Sequence, residues 1–348
     1  MLVKIAIADK NEEYLERLVS VLEEYKDLNL SVYTDRSSLE TALTSRTFDI
    51  LLFDSELYDG QTALKKDTLA VMLWDEDKGI PSTCRDFRKI NKYQRISGIY
   101  KQVLELYSEI CQDVGELIGR RSVVSVAFYS PVGGCGKTTL ALTAASKLAM
   151  RGFKTLYINF EDIASEDCYL PQIAEKGISE LAGFLGSEIN FPMKLQSLLQ
   201  TKMDNLFYLK HFDSPNDIYE MTEQEIGELL TEISRSGLFE YIVVDMGVSL
   251  DAKTMSIFEQ MQKIVLVEKP DSIAVQKIKC FMAQTHVLNA YGQKMVRVLN
   301  FDNGRGADIN SQIPMAGKVG AVQNPDSAQL ITMFSGNAGV SFVDALLS

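Results

Sequence analysis

Ten residues near the middle of the chain combine glycines with a lysine and two threonines in a spacing that suits phosphate chemistry. Segment 130–139 reads S-P-V-G-G-C-G-K-T-T. It keeps the Gly-Lys-Thr end of the pattern G-x-x-x-x-G-K-[ST] but has Ser130 in place of the first glycine. Glycines let successive backbone N–H groups turn toward phosphate oxygens, and a helix that begins there adds the positive end of its dipole. The residues expected to surround the phosphates are Gly133, Gly134, Cys135, Gly136, Lys137, Thr138 and Thr139.

The flanking residues predict the strand and the helix that such a loop requires. Residues 123–129 are mostly apolar, which predicts a buried strand, and residues 140–150 are rich in Ala and Leu, which predicts a helix. In that setting Lys137 reaches the β- and γ-phosphates and the Thr138 hydroxyl holds Mg²⁺. The segment therefore predicts a site for a nucleoside triphosphate with Mg²⁺.

Two other predicted strands end in polar side chains that would complete this site. The apolar run 241–244 ends at Asp245, whose carboxylate is expected to hold Mg²⁺ through a water molecule. Another strand ends at Asn159, and Glu161 follows it, where a carboxylate could orient water or the metal. The predicted catalytic residues are Lys137, Glu161 and Asp245, and the predicted metal ligands are Thr138 and Asp245.

The strand and helix patterns divide the chain into two predicted α/β domains. Residues 1–120 alternate short apolar runs with amphipathic segments, which predicts a small parallel domain of the flavodoxin-like type. Residues 121–348 alternate again, which predicts a doubly wound, mostly parallel sheet with ligands at the carboxyl ends of its strands. The expected strands of this second domain are 123–129, 154–159, 206–210, 240–244, 263–267 and 295–300.

The composition excludes several classes of function. The 348 residues include 35 Lys and Arg against 47 Asp and Glu, and a net charge of −12 disfavours strong nucleic-acid binding. Five scattered cysteines without C-x-x-C spacing favour reduced thiols rather than structural zinc. No run approaches the roughly 20 apolar residues needed to cross a bilayer, and the N-terminus lacks the features of a secretory leader. We therefore expect a cytoplasmic protein.

The order of the motifs resembles that of the MinD/ParA family of P-loop ATPases over residues 122–348. The resemblance rests on the loop at 130–139, Asn159, Glu161, Asp245, the segment V-L-V-E-K-P at 265–270, Asn300 and Ile313-Pro314. It implies ATP as the nucleotide, with Asn300 at the adenine edge and Pro314 also in the nucleotide site. It further implies a homodimer with nucleotide at its interface, because family members are ATP-driven spatial switches of that kind.

Three departures from the family pattern predict slow hydrolysis. The family loop usually has a lysine where this chain has Val132, and losing that cation should weaken charge stabilisation in the transition state. Two strand-end aspartates of the family are replaced by Asn159 and Glu161. Asn cannot act as a base and Glu is one methylene longer, so we expect poorer positioning of water. Met246-Gly247 replaces the usual Ser/Thr-Pro after Asp245. We expect ATP binding with a slow or weak ATPase activity.

The first domain resembles a response-regulator receiver whose phosphorylation pocket is incomplete. Asp9 and Asp54 follow the first and third strands, with Asp54 at the phosphoacceptor position. Lys10 replaces the second acid, Trp74 replaces the usual hydroxyl, and Lys92 is aligned with the receiver lysine. Without the second carboxylate, Mg²⁺ binding and phosphotransfer should be poor. An unrelated flavodoxin-like domain is the alternative.

The fusion of a receiver-like domain to a MinD/ParA ATPase resembles the TadZ/CpaE group, which localises the machinery of tight-adherence pili. That resemblance implies a dimeric, ATP-binding localisation factor that recruits a pilus secretion complex and reaches the membrane or a cell pole only through partners. Three alternatives remain: a tyrosine kinase of polysaccharide export, a ParA-type partitioning ATPase and a scaffold without nucleotide. The last tyrosine, Tyr291, precedes 57 residues without one, which disfavours the kinase.

Overall fold

The structure is a computed structural model, and it describes residues 3–23, 28–65, 68–108, 123–170, 175–187, 189–304, 312–321 and 341–347. The chain forms two compact units. The first contains Met1–Leu117 and Ser187–Ser197, and the second contains Ile118–Gly186 and Leu198–Ser348. The predicted boundary at 119–122 lies outside the described residues.

The first unit is built on a five-stranded parallel sheet in the order β2-β1-β3-β4-β5. Its strands are β1 (Val3–Ala8), β2 (Leu28–Tyr33), β3 (Ile50–Phe53), β4 (Leu69–Trp74) and β5 (Arg88–Asn91). Its first three helices are α1 (Glu12–Leu22), α2 (Arg36–Ser45) and α3 (Ile96–Ser108). One face of the sheet packs on α1 and α3 through residues such as Leu18 and Val103, and the other packs on α2 through Leu39. Helices on both faces explain why the central strands are apolar throughout.

The second unit is built on an eight-stranded sheet in the order β13-β12-β11-β6-β10-β7-β9-β8, in which β8 alone of the described strands runs antiparallel to its neighbour. Its strands are β6 (Val124–Tyr129), β7 (Thr155–Phe160), β8 (Gln200–Met203), β9 (Leu206–Tyr208), β10 (Tyr241–Met246), β11 (Lys263–Glu268), β12 (Met295–Asp302) and β13 (Met315–Gly320). The remaining helices are α4 (Lys137–Met150), α5 (Ile178–Ala182), α6 (Phe191–Leu198), α7 (Pro215–Glu220), α8 (Glu223–Arg235), α9 (Ala252–Gln260), α10 (Ser272–Met282), α11 (Thr285–Tyr291) and α12 (Asp344–Leu347). The predicted α/β class, with a mostly parallel second sheet, is confirmed.

Three strands were not expected from the sequence, because none has a long apolar run. Strand β5 reads R-K-I-N, and only Ile90 is buried in it. Strand β8 reads Q-T-K-M, and β13 contains two glycines. All three lie at the edge of a sheet, where hydrogen bonds to one neighbour hold a strand whose own propensity is weak.

Helix α6 belongs largely to the first unit, although the elements before and after it in sequence belong to the second. Met193 joins the core cluster of the first unit. Lys194 is buried and its Nζ lies 3.1 Å from Glu105 Oε1 on α3. Gln196 Nε2 donates to the Tyr100 hydroxyl at 3.0 Å. The helix therefore completes the surface of the first unit.

No helix in the described part of the chain has the length and apolar character required to cross a membrane.

Candidate functional site

The glycine-rich loop connects β6 to α4, as the sequence predicted, and its backbone requires glycine. Gly134 and Gly136 have φ angles of 63° and 85°, in the left-handed region that side chains disfavour. A Cβ on Gly136 would also collide with Asn300 Nδ2. Because α4 begins at Lys137, the free N–H groups of its first turn point toward the space where phosphates are expected.

Asn300 holds this loop from the neighbouring part of the sheet. Its Nδ2 donates to the Cys135 carbonyl at 2.9 Å, and its Oδ1 accepts from the Phe301 N–H at 3.0 Å. Phe301 has a φ of 56°, so a strained residue follows the contact. Both ends of the Asn300 amide are therefore engaged within the chain, and its proposed role at the adenine edge stays a prediction.

Three adjacent strands bring the predicted catalytic residues to one edge of the sheet. Strand β10 lies between β6 and β7, and Asp245 pairs in register with Asn159 of β7. Because parallel strands end together, Asp245, Glu161 and the loop after β6 share this edge. The Thr138 hydroxyl donates to Glu161, and the Lys137 charge acts on the same carboxylate, so these residues form one cluster.

Asp245 is fully buried, and the Tyr157 hydroxyl donates to its Oδ2 at 3.0 Å. Burial raises the pKa of Asp245 well above its usual range, and the charge of Glu161 raises it further. The sequence did not single out Tyr157, although its position two residues before Asn159 places it on the same face of β7.

Glu161 is held by contacts from three directions. Its Oε2 accepts from the Thr138 hydroxyl at 3.4 Å, and its backbone N–H donates to Asn159 Oδ1 at 2.8 Å. His211 Nε2 lies 2.8 Å from its carbonyl oxygen. Burial raises the pKa of the Glu161 carboxyl, while the Lys137 ammonium and the Thr138 hydroxyl oppose that rise. His211 was not predicted, because 50 residues separate it from Glu161 in sequence.

Two buried polar atoms in this cluster point to a ligand. Asp245 Oδ1 and Asn159 Nδ2 have no hydrogen-bond partner among the described residues, and a buried polar group without a partner is costly. One is an acceptor suited to a metal-bound water, and the other is a donor suited to an anion. The described residues contain no group of three or more His, Cys, Asp or Glu side chains that could hold a metal. Mg²⁺ in nucleotide sites needs few protein ligands, because phosphates and waters supply the rest, so Thr138 and Asp245 fit it.

The loop itself supplies no second cation. Val132 is buried, and its N–H donates to Ser130 Oγ at 3.2 Å. Cys135 is also buried, and burial raises the pKa of its thiol, so the neutral form is favoured. Its carbonyl is used by Asn300, so Cys135 acts here through its backbone. Lys137 is therefore the cation that the described loop offers to phosphates.

Pro314 lies away from this cluster, at the opposite end of the sheet, so the expectation that it lines the nucleotide site is wrong. The Pro314 carbonyl accepts from the Arg297 N–H at 2.8 Å, just before β13 begins. Because β12 and β13 are parallel, this contact is near the amino end of both strands, whereas Asn300 lies toward the carboxyl end. Arg297 and Asn300 are three residues apart along β12, which separates them by about 10 Å. The dipeptide Ile313-Pro314 precedes a strand, and the loops near the phosphates follow strands.

The acidic pocket of the first unit is closed by a lysine. Lys92 follows β5, is buried, and pairs through Nζ with Asp9 and, at 3.3 Å, with Asp54 Oδ2. Its ammonium also lies 4.7 Å from the centre of the Tyr14 ring. Lys10 points elsewhere, to Glu56 at 3.2 Å. The structure thus brings Lys92 to Asp9 and Asp54, and its ammonium neutralises both carboxylates.

Comparison with known proteins finds similarity over several parts of the chain. Residues 1–108 match the family described as TadZ-like, receiver domain. Tyrosine-protein kinase CpsD of Streptococcus pneumoniae is 27% identical over 192 residues, which cover 53% of this chain and 80% of the kinase. Septum site-determining protein MinD of Neisseria meningitidis serogroup B is 26% identical over 154 residues, covering 43% and 55% of the two chains.

Two solved structures share the fold of the second unit. A ParA family ATPase from Chlorobium tepidum TLS superposes with a TM-score of 0.54 at 14% identity, covering 65% of this chain and 98% of that one. The septum site-determining protein MinD from Pyrococcus horikoshii OT3, complexed with Mg-ADP, superposes with a TM-score of 0.52 at 16% identity, covering 64% and 94%. Residues 1–108 therefore resemble a TadZ-like receiver domain, and the second unit has the fold of the MinD/ParA P-loop ATPases.

Proposed function

We propose that this protein is an ATP-binding, dimeric localisation factor that recruits the assembly complex of a tight-adherence pilus. The observation that carries the proposal is the cluster of Lys137, Thr138, Glu161 and Asp245 in a chain whose residues 1–108 match the TadZ-like receiver domain. The cluster supports binding of ATP with Mg²⁺, and the receiver domain supports the choice of a pilus system among the uses of this ATPase fold.

In this proposal the nucleotide acts mainly as a structural signal. The backbone N–H groups of the loop and Lys137 bind the phosphates, and Thr138 and Asp245 hold Mg²⁺, which neutralises phosphate charge. Because Glu161 contacts Thr138 at 3.4 Å, phosphate and metal binding would rearrange the segment that follows β7. Val132 leaves the transition state without the family's second cation, so hydrolysis is slow and the bound state persists. Partner proteins read that state, and they bring the protein to the membrane or a pole.

Calorimetric titration of ATP with Mg²⁺ into the full chain tests the site. We expect Lys137→Ala to weaken binding by roughly tenfold or more, because it removes a charge-assisted contact to phosphate. Lys154→Ala is the matched control, since Lys154 is exposed before β7, at the other end of the strand. Equal binding by wild type and Lys137→Ala would refute the site.

Phosphate release tests the slow turnover. Val132→Lys restores a cation in the loop, and we expect it to raise the rate of release while ATP binding is retained. A rate for wild type that already equals that of ordinary MinD/ParA ATPases would refute the role of Val132.

A tyrosine kinase of polysaccharide export is the second candidate, because the match to CpsD covers 80% of that kinase. Incubation with radiolabelled ATP distinguishes the two functions. We expect no label on the tyrosines of wild type, and stable phosphotyrosine that disappears in Lys137→Ala would favour the kinase.

A further inference from the structure

A groove on the second unit lies beside the proposed nucleotide site but outside it. It has a volume of about 450 Å³, and its walls are α5, α7 and the beginning of α8. Leu185, Phe212 and Met221 contribute the apolar part of its lining, the floor of the groove, and Phe212 and Met221 are largely buried. Grooves of this form accept the apolar face of a helix or an extended segment.

The rim of this groove is acidic. Asp217, Glu220 and Glu225 line it, and no Lys or Arg does. The sequence from 211 to 234 contains seven Asp and Glu residues and no Lys or Arg. Two lysines close to the groove in sequence are paired, Lys176 with Glu180 and Lys210 with Asp213. The lining therefore carries three carboxylates and no Lys or Arg, while Lys253 Nζ donates to the Ile218 and Tyr219 carbonyls near the end of α7.

Two of the three carboxylates stabilise the helices that carry them, whereas the third makes no such contact. Asp217 and Glu225 belong to capping boxes at the start of α7 and α8, where they bond Ser214 and Thr222. Those bonds fix the carboxylates in place, and the contacts to Thr222 lower the pKa of Glu225. Glu220 is exposed, and its carboxylate makes no hydrogen bond or ion pair with a described residue. The Glu220 charge therefore stabilises no contact within the described part of the chain.

The floor of the groove contacts the residues that position Glu161. The rings of Phe212 and Phe160 pack edge to face with centres 5.8 Å apart, and Phe160 directly precedes Glu161. His211, next to Phe212, lies 2.8 Å from the Glu161 carbonyl oxygen. A segment seated on Phe212 would therefore press on the same strand end that carries Glu161, and coupling of this kind is reciprocal.

We propose that this groove docks a basic amphipathic segment of a partner protein. The apolar floor accepts the partner's apolar side chains, and Asp217, Glu220 and Glu225 attract its Lys and Arg. Charge complementarity selects this occupant over a second copy of the chain, whose net charge is −12, and over an anionic membrane surface. Docking requires no bound nucleotide, although nucleotide should change its affinity through Phe212 and Glu161, so a failure of ATP binding would leave the docking test intact.

Fluorescence anisotropy with the full chain and synthetic peptides tests the proposal. The probe is a labelled Leu/Lys amphipathic helix, and a Ser/Lys peptide of equal charge tests whether the apolar floor matters. Glu220→Lys reverses a charge on the rim, and we expect it to weaken binding of the Leu/Lys peptide roughly three- to tenfold. Glu228→Lys is the matched control, because Glu228 is exposed on α8 but does not line the groove, and binding should change by less than about twofold.

The outcomes are distinct. The groove is supported if Glu220→Lys, but not Glu228→Lys, binds the Leu/Lys peptide more weakly and if wild type binds the Ser/Lys peptide only weakly. Three results would overturn it: no binding by wild type, equal loss in both variants, or equal binding of both peptides, which indicates charge alone. A change in self-association of Glu220→Lys, measured by sedimentation, would assign the groove to a second copy and also overturn the proposal.

Discussion

Single residues decide whether the loop after β6 can bind phosphates, and the two glycines at positive φ are the clearest case. Ser130 and Val132 vary from the common pattern without changing the loop's course, because neither needs a left-handed backbone. Gly136 has no such freedom, since its φ is 85° and Asn300 approaches it closely.

We predict that Gly136→Ala lowers ATP affinity at least roughly tenfold and destabilises the second unit by about 1–3 kcal/mol, because a strained backbone and a collision with Asn300 coincide. Gly133→Ala is the control: no atom lies within 4 Å of its added Cβ, and its φ is not positive. Calorimetry and urea unfolding measure both effects. Equal losses in the two variants would contradict the geometric explanation.

Asp245 gives a second prediction at the scale of the residue. Burial and the Glu161 charge raise the pKa of Asp245, which favours the neutral carboxyl, whereas Mg²⁺ requires the ionised form. Binding of ATP with Mg²⁺ should therefore release protons, and affinity should fall as the buffer is changed from mildly alkaline to mildly acidic. Calorimetry in two buffers of different ionisation enthalpy counts these protons. An enthalpy that is the same in both buffers at acidic pH would contradict this expectation.

At the scale of elements, short strands place charges that the sequence leaves far apart. Strand β5 pairs with β4 and is followed by Lys92, which it brings to Asp9 and Asp54. Such a buried triad tolerates the loss of its cation poorly, because two carboxylates would remain without a counter-charge.

We predict that Lys92→Met lowers the free energy of unfolding of the first unit by about 3–5 kcal/mol, and that Lys10→Met, which loses an exposed pair with Glu56, costs less than about 1 kcal/mol. Urea unfolding, monitored by hydrogen exchange of β1 and β3, measures the free energy of unfolding of the first unit in both variants. The wild-type pocket should also take up no phosphoryl group from acetyl phosphate, and labelling of Asp54 would show that Lys92 does not block it.

At the scale of the whole molecule, one short segment belongs to the first unit, although the residues before and after it in sequence belong to the second. Residues 187–197 join the first unit through Met193, Lys194 and Gln196. We predict that Lys194→Ala raises hydrogen exchange in α3, because Glu105 loses its buried partner. Lys202→Ala, at an exposed position of β8, should leave α3 unchanged. Unchanged exchange in both variants would mean that α6 does not stabilise the first unit.

The sequence by itself determined the parts that depend on neighbouring residues. The loop at 130–139 is recognisable because its glycines, Lys137 and Thr138 are contiguous and lie between an apolar strand and a helix. The central strands and the α/β class were predictable for the same reason, because a strand that is buried on both faces has a continuous apolar sequence.

Only the tertiary structure decided the contacts that join distant parts of the chain. Asn300 reaches Cys135 across 165 positions, and Tyr157 reaches Asp245 across 88. Strand order and register create these contacts, and neither is encoded in a local pattern. Pro314 occurs at the expected place along the sequence, but it precedes β13. It therefore lies at the end of the sheet opposite to the proposed nucleotide site.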